Sequence, residues 1–136
     1  MTDINATIAA AASGMRAQTT RMRIAAENVA NANSAGANPN EDPFRRRIPL
    51  LESTALANGA QGVRVAGAIS DMSAFREEYN PSHPAADERG YVQLPNVDTL
   101  VEMMDMREAT RAYEANLNMI EAARTMTTRA LDLLRR

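Results

Sequence analysis

Apolar residues recur every three or four positions at both ends of the chain and lose that rhythm in between. From residue 4 to 29, Ile4, Ile8, Ala11, Met15, Gln18, Met22, Ala25 and Val29 advance by alternating steps of four and three. That is the spacing of a narrow helix-pairing seam, and only Gln18 in it is polar. A helix from Ile4 to about Ala32 would be roughly 40 Å long. The stretch SGMRAQTTRMRIAAENVANANS (13–34) closes on Asn28 and Asn31 near the end of that helix and Asn33 just beyond it. Asn31, Asn33 and Gly36 tolerate a left-handed cap, and Pro39 and Pro43 block continuation. Asn28 and Asn31 also have a second reading, since a polar side chain in a packed seam fixes register.

Residues 35–96 are different ground, rich in proline and glycine. The runs FRRRIPLLES (44–53) and GVRVAGAIS (62–70) alternate enough to predict two or three small strands. EEYNPSHPAADERGYVQLPN (77–96) reads as an irregular loop with extended pieces. Three segments follow: an N-terminal helix in 1–34, a turn-rich middle with a few short strands in 35–96, and a C-terminal helix in 97–136. The class is mainly α.

The C-terminal helix starts at a cap, Asp98, with Glu102 and Asp105 early and Arg129, Arg135 and Arg136 late, a gradient that suits the helix dipole. Glu108 with Arg111, and Glu121 with Arg124, are spaced for local pairing. One stripe runs Met103, Met106, Thr110, Tyr113, Leu117, Ile120, Arg124, Thr127, Leu131, Leu134. Beside it runs Ala112, Asn116, Met119, Ala123, Met126, Ala130, Leu133. Pairing with the N-terminal helix uses one stripe. The other needs a further partner, so the helix seams are expected at subunit interfaces. The residues expected there are Ile4, Ile8, Met15, Met22, Asn28, Val29, Asn31, Met106, Tyr113, Leu117, Met119, Ile120, Met126, Leu131 and Leu134.

Composition narrows the classes further. The few aromatics (two Phe, three Tyr, no Trp) leave Ala and Met to build the interior, which gives a shallow core suited to helix-on-helix contact. A net charge of −2 argues against nucleic acid as a partner. Every basic residue but His83 is arginine, so lysine chemistry is excluded, and the lack of cysteine excludes disulfides and thiolate sites. The longest apolar run, Ile8–Ala12, is far short of a membrane span, so no direct membrane insertion is expected. With only Asp3 charged ahead of it, that run is a poor match to a cleaved signal peptide.

The SGMRAQTTRMRIAAENVANANS stretch has the form Ser-Gly-Met…Gln…Arg-Met…Ile-Ala-x-Asn-hydrophobic-Ala-Asn. GYVQLPNVDTLVEMMDMREATRAYEANLNMIEAARTM (90–126) carries PNVD and EATRAYEANL, and PFRRRIP (43–49) and SHPAADERGYV (82–92) lie between. In these motifs, which cover well over half its length, the chain resembles the bacterial flagellar axial proteins, and among them the small proximal-rod subunits of the rod-C type. The turn NSAGANPNEDPF replaces the Thr-Pro-Gly-Tyr turn of many axial relatives, and Phe44 stands where the rod-C type usually carries Tyr.

The resemblance implies terminal helices forming a coiled-coil-like pair of D0 type, and a structural subunit of the proximal rod, the drive shaft that transmits motor torque. It implies helical assembly with copies of itself, rod protein B, basal-body protein E and later, distal-direction rod proteins. It also implies passage through the flagellar type III export apparatus without signal cleavage, to a rod spanning the periplasm. The alternative is a cytosolic helical adaptor or export chaperone.

Chemistry finds little foothold. His83 has no second His or Cys for a zinc site, and the pairs Glu41–Asp42, Glu77–Glu78 and Asp87–Glu88 lack calcium-loop spacing. Ser13-Gly14 lacks the frame of a nucleophile elbow, and no glycine-rich phosphate cradle occurs. Arg45-Arg46-Arg47 reads best as an inter-subunit ion-pairing group. No catalytic residue, cofactor or metal is expected, and the protein is not read as an enzyme.

Overall fold

A computed structural model describes residues 2–136. The order is α1 (Thr2–Ala30), β1 (Arg47–Ala55), β2 (Gln61–Ser70), β3 (Arg76–Tyr79), β4 (Tyr91–Leu94) and α2 (Thr99–Leu134). Two helices flank two separate antiparallel hairpins, β1–β2 and β3–β4.

α1 is a long alanine-rich segment with no internal Pro, and its threonines tolerate the helix by bonding back one turn, Thr7 to the Asp3 carbonyl and Thr19 to that of Met15. Its end is not a left-handed cap. No non-glycine among the described residues has positive φ, and Gly36 is not among the positive-φ glycines. Instead the Asn31 amide donates to the Glu27 carbonyl at 2.8 Å, and the Ala32 N–H reaches the Val29 carbonyl at 3.2 Å. The Glu27 carbonyl also accepts the Asn31 backbone N–H at 3.1 Å, so the helix closes on a doubly bonded carbonyl and a tightened last turn, without a residue in the left-handed region. α2 starts as its sequence predicts, with the Asp98 carboxylate accepting from the Leu100 N–H at 3.0 Å.

The helices pack antiparallel. Asn28 of α1 meets Glu102 of α2, Met22 meets Thr110, and Gly14 lies against Asn116. At Gly14 the approach is closest: an added Cβ would stand 2.6 Å from the Asn116 amide nitrogen. The line of α2 that faces α1 repeats every seven residues through Glu102, Ala109, Asn116 and Ala123, with Met106, Tyr113, Ile120 and Thr127 half-buried beside it. Ala109 is fully buried, and such small side chains let the backbones approach. The core is correspondingly thin, with Ile24, Val92 and Val97 its largest fully buried apolar side chains.

β1 and β2 form the longer hairpin, closed through Asn58-Gly59, where Gly59 has φ +79° and its N–H returns to the Leu56 carbonyl. The register shifts at Leu50/Leu51, and both strands contact α1. Ser13, buried on α1, receives the Val63 N–H on its hydroxyl at 3.1 Å, which holds β2 to the helix. The 77–96 stretch is more regular than its sequence predicts. β3 and β4 pair from Arg76–Leu94 to Tyr79–Tyr91, sealed by an edge-on Tyr79–Tyr91 contact with centroids 5.4 Å apart. The signal was weak because each strand is only four residues long.

Candidate assembly interface

Where α1 ends and α2 begins, a cluster of polar side chains ties the helices to the middle of the chain. Asn28, 1 % exposed, accepts the Arg47 N–H at 3.0 Å and donates to the Arg47 carbonyl at 2.9 Å. It thus treats the start of β1 as a neighbouring strand would. Its amide also donates to Glu102 at 3.3 Å. Glu102, 2 % exposed, is held by the Arg46 guanidinium, which also reaches Asp71 at 3.3 Å and Asp105 at 3.5 Å. Asn96 accepts the Arg46 N–H at 2.8 Å and donates to the Asp71 carbonyl at 2.9 Å. Arg76 closes the far side, donating to the carbonyls of Pro95 at 3.0 Å and Ala32 at 2.7 Å.

A buried carboxylate survives only when paired and hydrogen-bonded. Burial of Arg46 would lower its pKa, but hydrogen bonds and charge from Glu102, then Asp71, raise it above the ordinary arginine value, so the guanidinium stays charged. The Ser73 backbone N–H, then its hydroxyl, and to a smaller extent Arg46 hold the Asp71 carboxyl below the ordinary range. Among the described residues, no buried side-chain polar atom lacks a partner.

The arginine triplet therefore works within the chain. Arg46 holds Glu102, Arg45 lies over the Phe75 ring at 4.1 Å and donates to the carbonyls of Asp71 and Ser73, and Arg47 stands 3.6 Å from Glu27. Arg45 and Arg46 thus already have partners within the chain, where an inter-subunit pairing is expected of the triplet. Neither Glu108–Arg111 nor Glu121–Arg124 closes to ion-pair distance, and the pairing found on α1 is Arg23–Glu27. His83 accepts the Ala85 N–H at 3.0 Å and shapes its loop.

Above this junction the expected seam residues divide. On α1, Ile4, Ile8, Met15, Met22 and Val29 are half-buried, as is Asn31 just past its end. On α2, Met106, Tyr113 and Ile120 are half-buried against α1, whereas Leu117, Met119, Met126, Leu131 and Leu134 are exposed. α1 does not take one stripe of α2 and leave the other. It lies along the boundary between them, so one edge of each stays open: Leu117 and Leu131 on one side, Met119, Met126 and Leu133 on the other. Met126 is 63 % exposed and Leu133 72 %. Monomeric proteins seldom leave such a length of apolar surface uncovered.

Sequence reading missed Glu102, Arg46, Asn96, Arg76 and Ser13 as organising residues. Glu102 passed as a dipole-matching acid. The retrievable signal was Asn96 in PNVD, a buried polar residue between a proline and a helix cap.

A family model described as "Flagellar basal body rod FlgEFG protein C-terminal" matches residues 88–133. The chain is 43% identical over 136 residues to the flagellar basal-body rod protein FlgC of Agrobacterium fabrum, covering 99% of this chain and 98% of that protein. It is 36% identical to the FlgC proteins of Escherichia coli O6:H1 and Bacillus subtilis, with 90% of this chain and 92% of each relative covered.

Proposed function

Because the chain belongs to the family of flagellar basal-body rod protein FlgC, we propose that it builds the proximal rod by packing the open edges of α2 against neighbouring subunits. Its role is that of a structural subunit of the flagellar basal-body rod, not an enzyme. The observation that carries the assembly reading is the exposed Met and Leu on both flanks of α2. In this reading α1 and α2 are the coiled-coil-like, D0-type pair, and the pair is one layer of a helical wall that transmits torque. Neighbours would be further copies, rod protein B, basal-body protein E and later rod proteins. Contacts between unlike faces that do not close on themselves extend into a filament.

Delivery through the flagellar type III export apparatus, without signal cleavage, to a rod crossing the periplasm belongs to the same proposal. A thin, alanine-based core supports it, since such helices hold little buried area and unfold readily for passage. No helix among the described residues is long and apolar enough to cross a membrane. A cytosolic adaptor or export chaperone is not favoured. Proteomics on detergent-washed basal bodies beside the soluble fraction tests the reading. Retention with the basal bodies is expected, and recovery only in the cytosol would reverse it.

A further inference from the structure

Resting on the rod-subunit reading, we propose that the outer edge of α2 receives α1 of a second copy of this chain. The edge is itself a seam with steps of three and four: Ala112, Ala115, Met119, Ala122, Met126 and, two turns on, Leu133. All but the half-buried Ala112 are exposed. Its large side chains recur every seven residues and stand between alanines.

The solvent face of α1 has the reverse pattern. Asn5, Ala12, Thr19 and Ala26 form a row of short side chains, and the adjacent row carries Arg16 and Arg23. Large side chains of one face meet short ones of the other, as interdigitated packing requires. One charge pair fits as well: Arg23, which also pairs with Glu27 of its own chain, would meet Glu108, from which the seam on α2 leads out.

An antiparallel register joins these features. With Arg23 of the incoming helix at Glu108, Arg16 falls at Ala115 and Ala12 at Met119. That offset lies between the two the chain uses for its own helices, at Asn28–Glu102 and Met22–Thr110. Ala12 also borders an open apolar groove of ≈ 630 Å³ between α1 and α2, with Met15, Tyr113 and Ile120 on its walls. Met119 of the neighbour would enter that groove, and the arginine stems would lie over Ala115 and Ala122. Each copy gives one face and accepts on another, so the contact propagates.

The chain has no cysteine, so pairs placed at will report contact directly. Purified full-length Ala12→Cys and Met119→Cys chains, differently tagged, are mixed at high concentration and oxidised. The mixed disulfide is expected several-fold above that of Ala12→Cys with Thr125→Cys, an exposed position off the seam. Adding Glu108→Arg to the Met119→Cys chain should lower the yield, and Arg23→Glu in the other chain should restore it. Yield no higher than the Thr125 control, or Met119 homodimers alone, overturns the proposal. The rod reading is judged separately by basal-body retention: a chain retained without the mixed disulfide loses only this seam, and a disulfide without retention loses only the rod assignment.

Discussion

The two helices are treated unequally by their own fold. α1 is contacted by α2 and by the β1–β2 hairpin, and its apolar positions are at least half-covered wherever they are larger than alanine. α2 has α1 alone as its main helical partner and leaves Met and Leu side chains open along both flanks, with Met119 52 % and Met126 63 % exposed. A helix satisfied inside the chain contributes to folding. A helix left half-satisfied can gain only from other chains. The difference begins at the polar junction, where Asn28 and Glu102 fix how α1 and the hairpin lie and thus which face of α2 is used up.

The largest effect is expected from Glu102→Ala. It removes the buried partner of Arg46 and one of Asn28, and breaking such a pair costs about 3–5 kcal/mol. Urea unfolding of the purified chain should show a much earlier midpoint, and an unchanged midpoint would mean that the junction does not organise the pair. Asn28→Ala is next, at about 1–2 kcal/mol, since it removes the side-chain partner of both the N–H and the C=O of Arg47. Its readout is the same melt, together with faster hydrogen exchange at Arg47.

Leu117→Asp sharpens the comparison from the other side. Leu117 is 39% exposed and off the α1 line, so the melt should move by no more than about 0.5 kcal/mol. Rod completion and swimming should nevertheless fail, because a carboxylate would be buried at a contact between subunits. A swimming Leu117→Asp strain would remove that edge from the interface. Ile120→Asp is less informative, because Ile120 is half-buried against α1 and both properties should fall together.

The smallest effect is on acid stability. The Asp71 carboxyl is held below its ordinary value by Ser73, then Arg46. A depressed folded-state pKa gives stability that is present above the unfolded value, about 3.9, and is lost as pH falls through the folded value. Asp71→Asn should therefore narrow the gap between the unfolding midpoints at neutral and at acid pH. A gap as wide as the parent's would assign the acid response to other groups.

The sequence by itself determined the terminal helices, their approximate ends, the Asp98 cap, the two long strands and the excess of apolar surface on α2. These rest on local causes: period, capping chemistry and proline placement act within a few residues, and repeated heptad steps are visible in one dimension. Only the tertiary structure decided how α1 sits on α2. Two adjacent stripes offer three ways to dock a helix, and the choice is made by partners far apart in sequence. Arg46 turns inward to Glu102 across 56 residues, and Ser13 takes an N–H from Val63 across 50. Glu102 and Ala109 continue the row of Asn116 and Ala123 back beyond the second stripe, and they line the contact because a junction of buried hydrogen bonds and the close approach at Gly14 favour a polar and small-residue line. Hydrophobic periodicity measures how much surface must be covered; which part the chain covers itself is settled by the polar groups that must find partners when it folds.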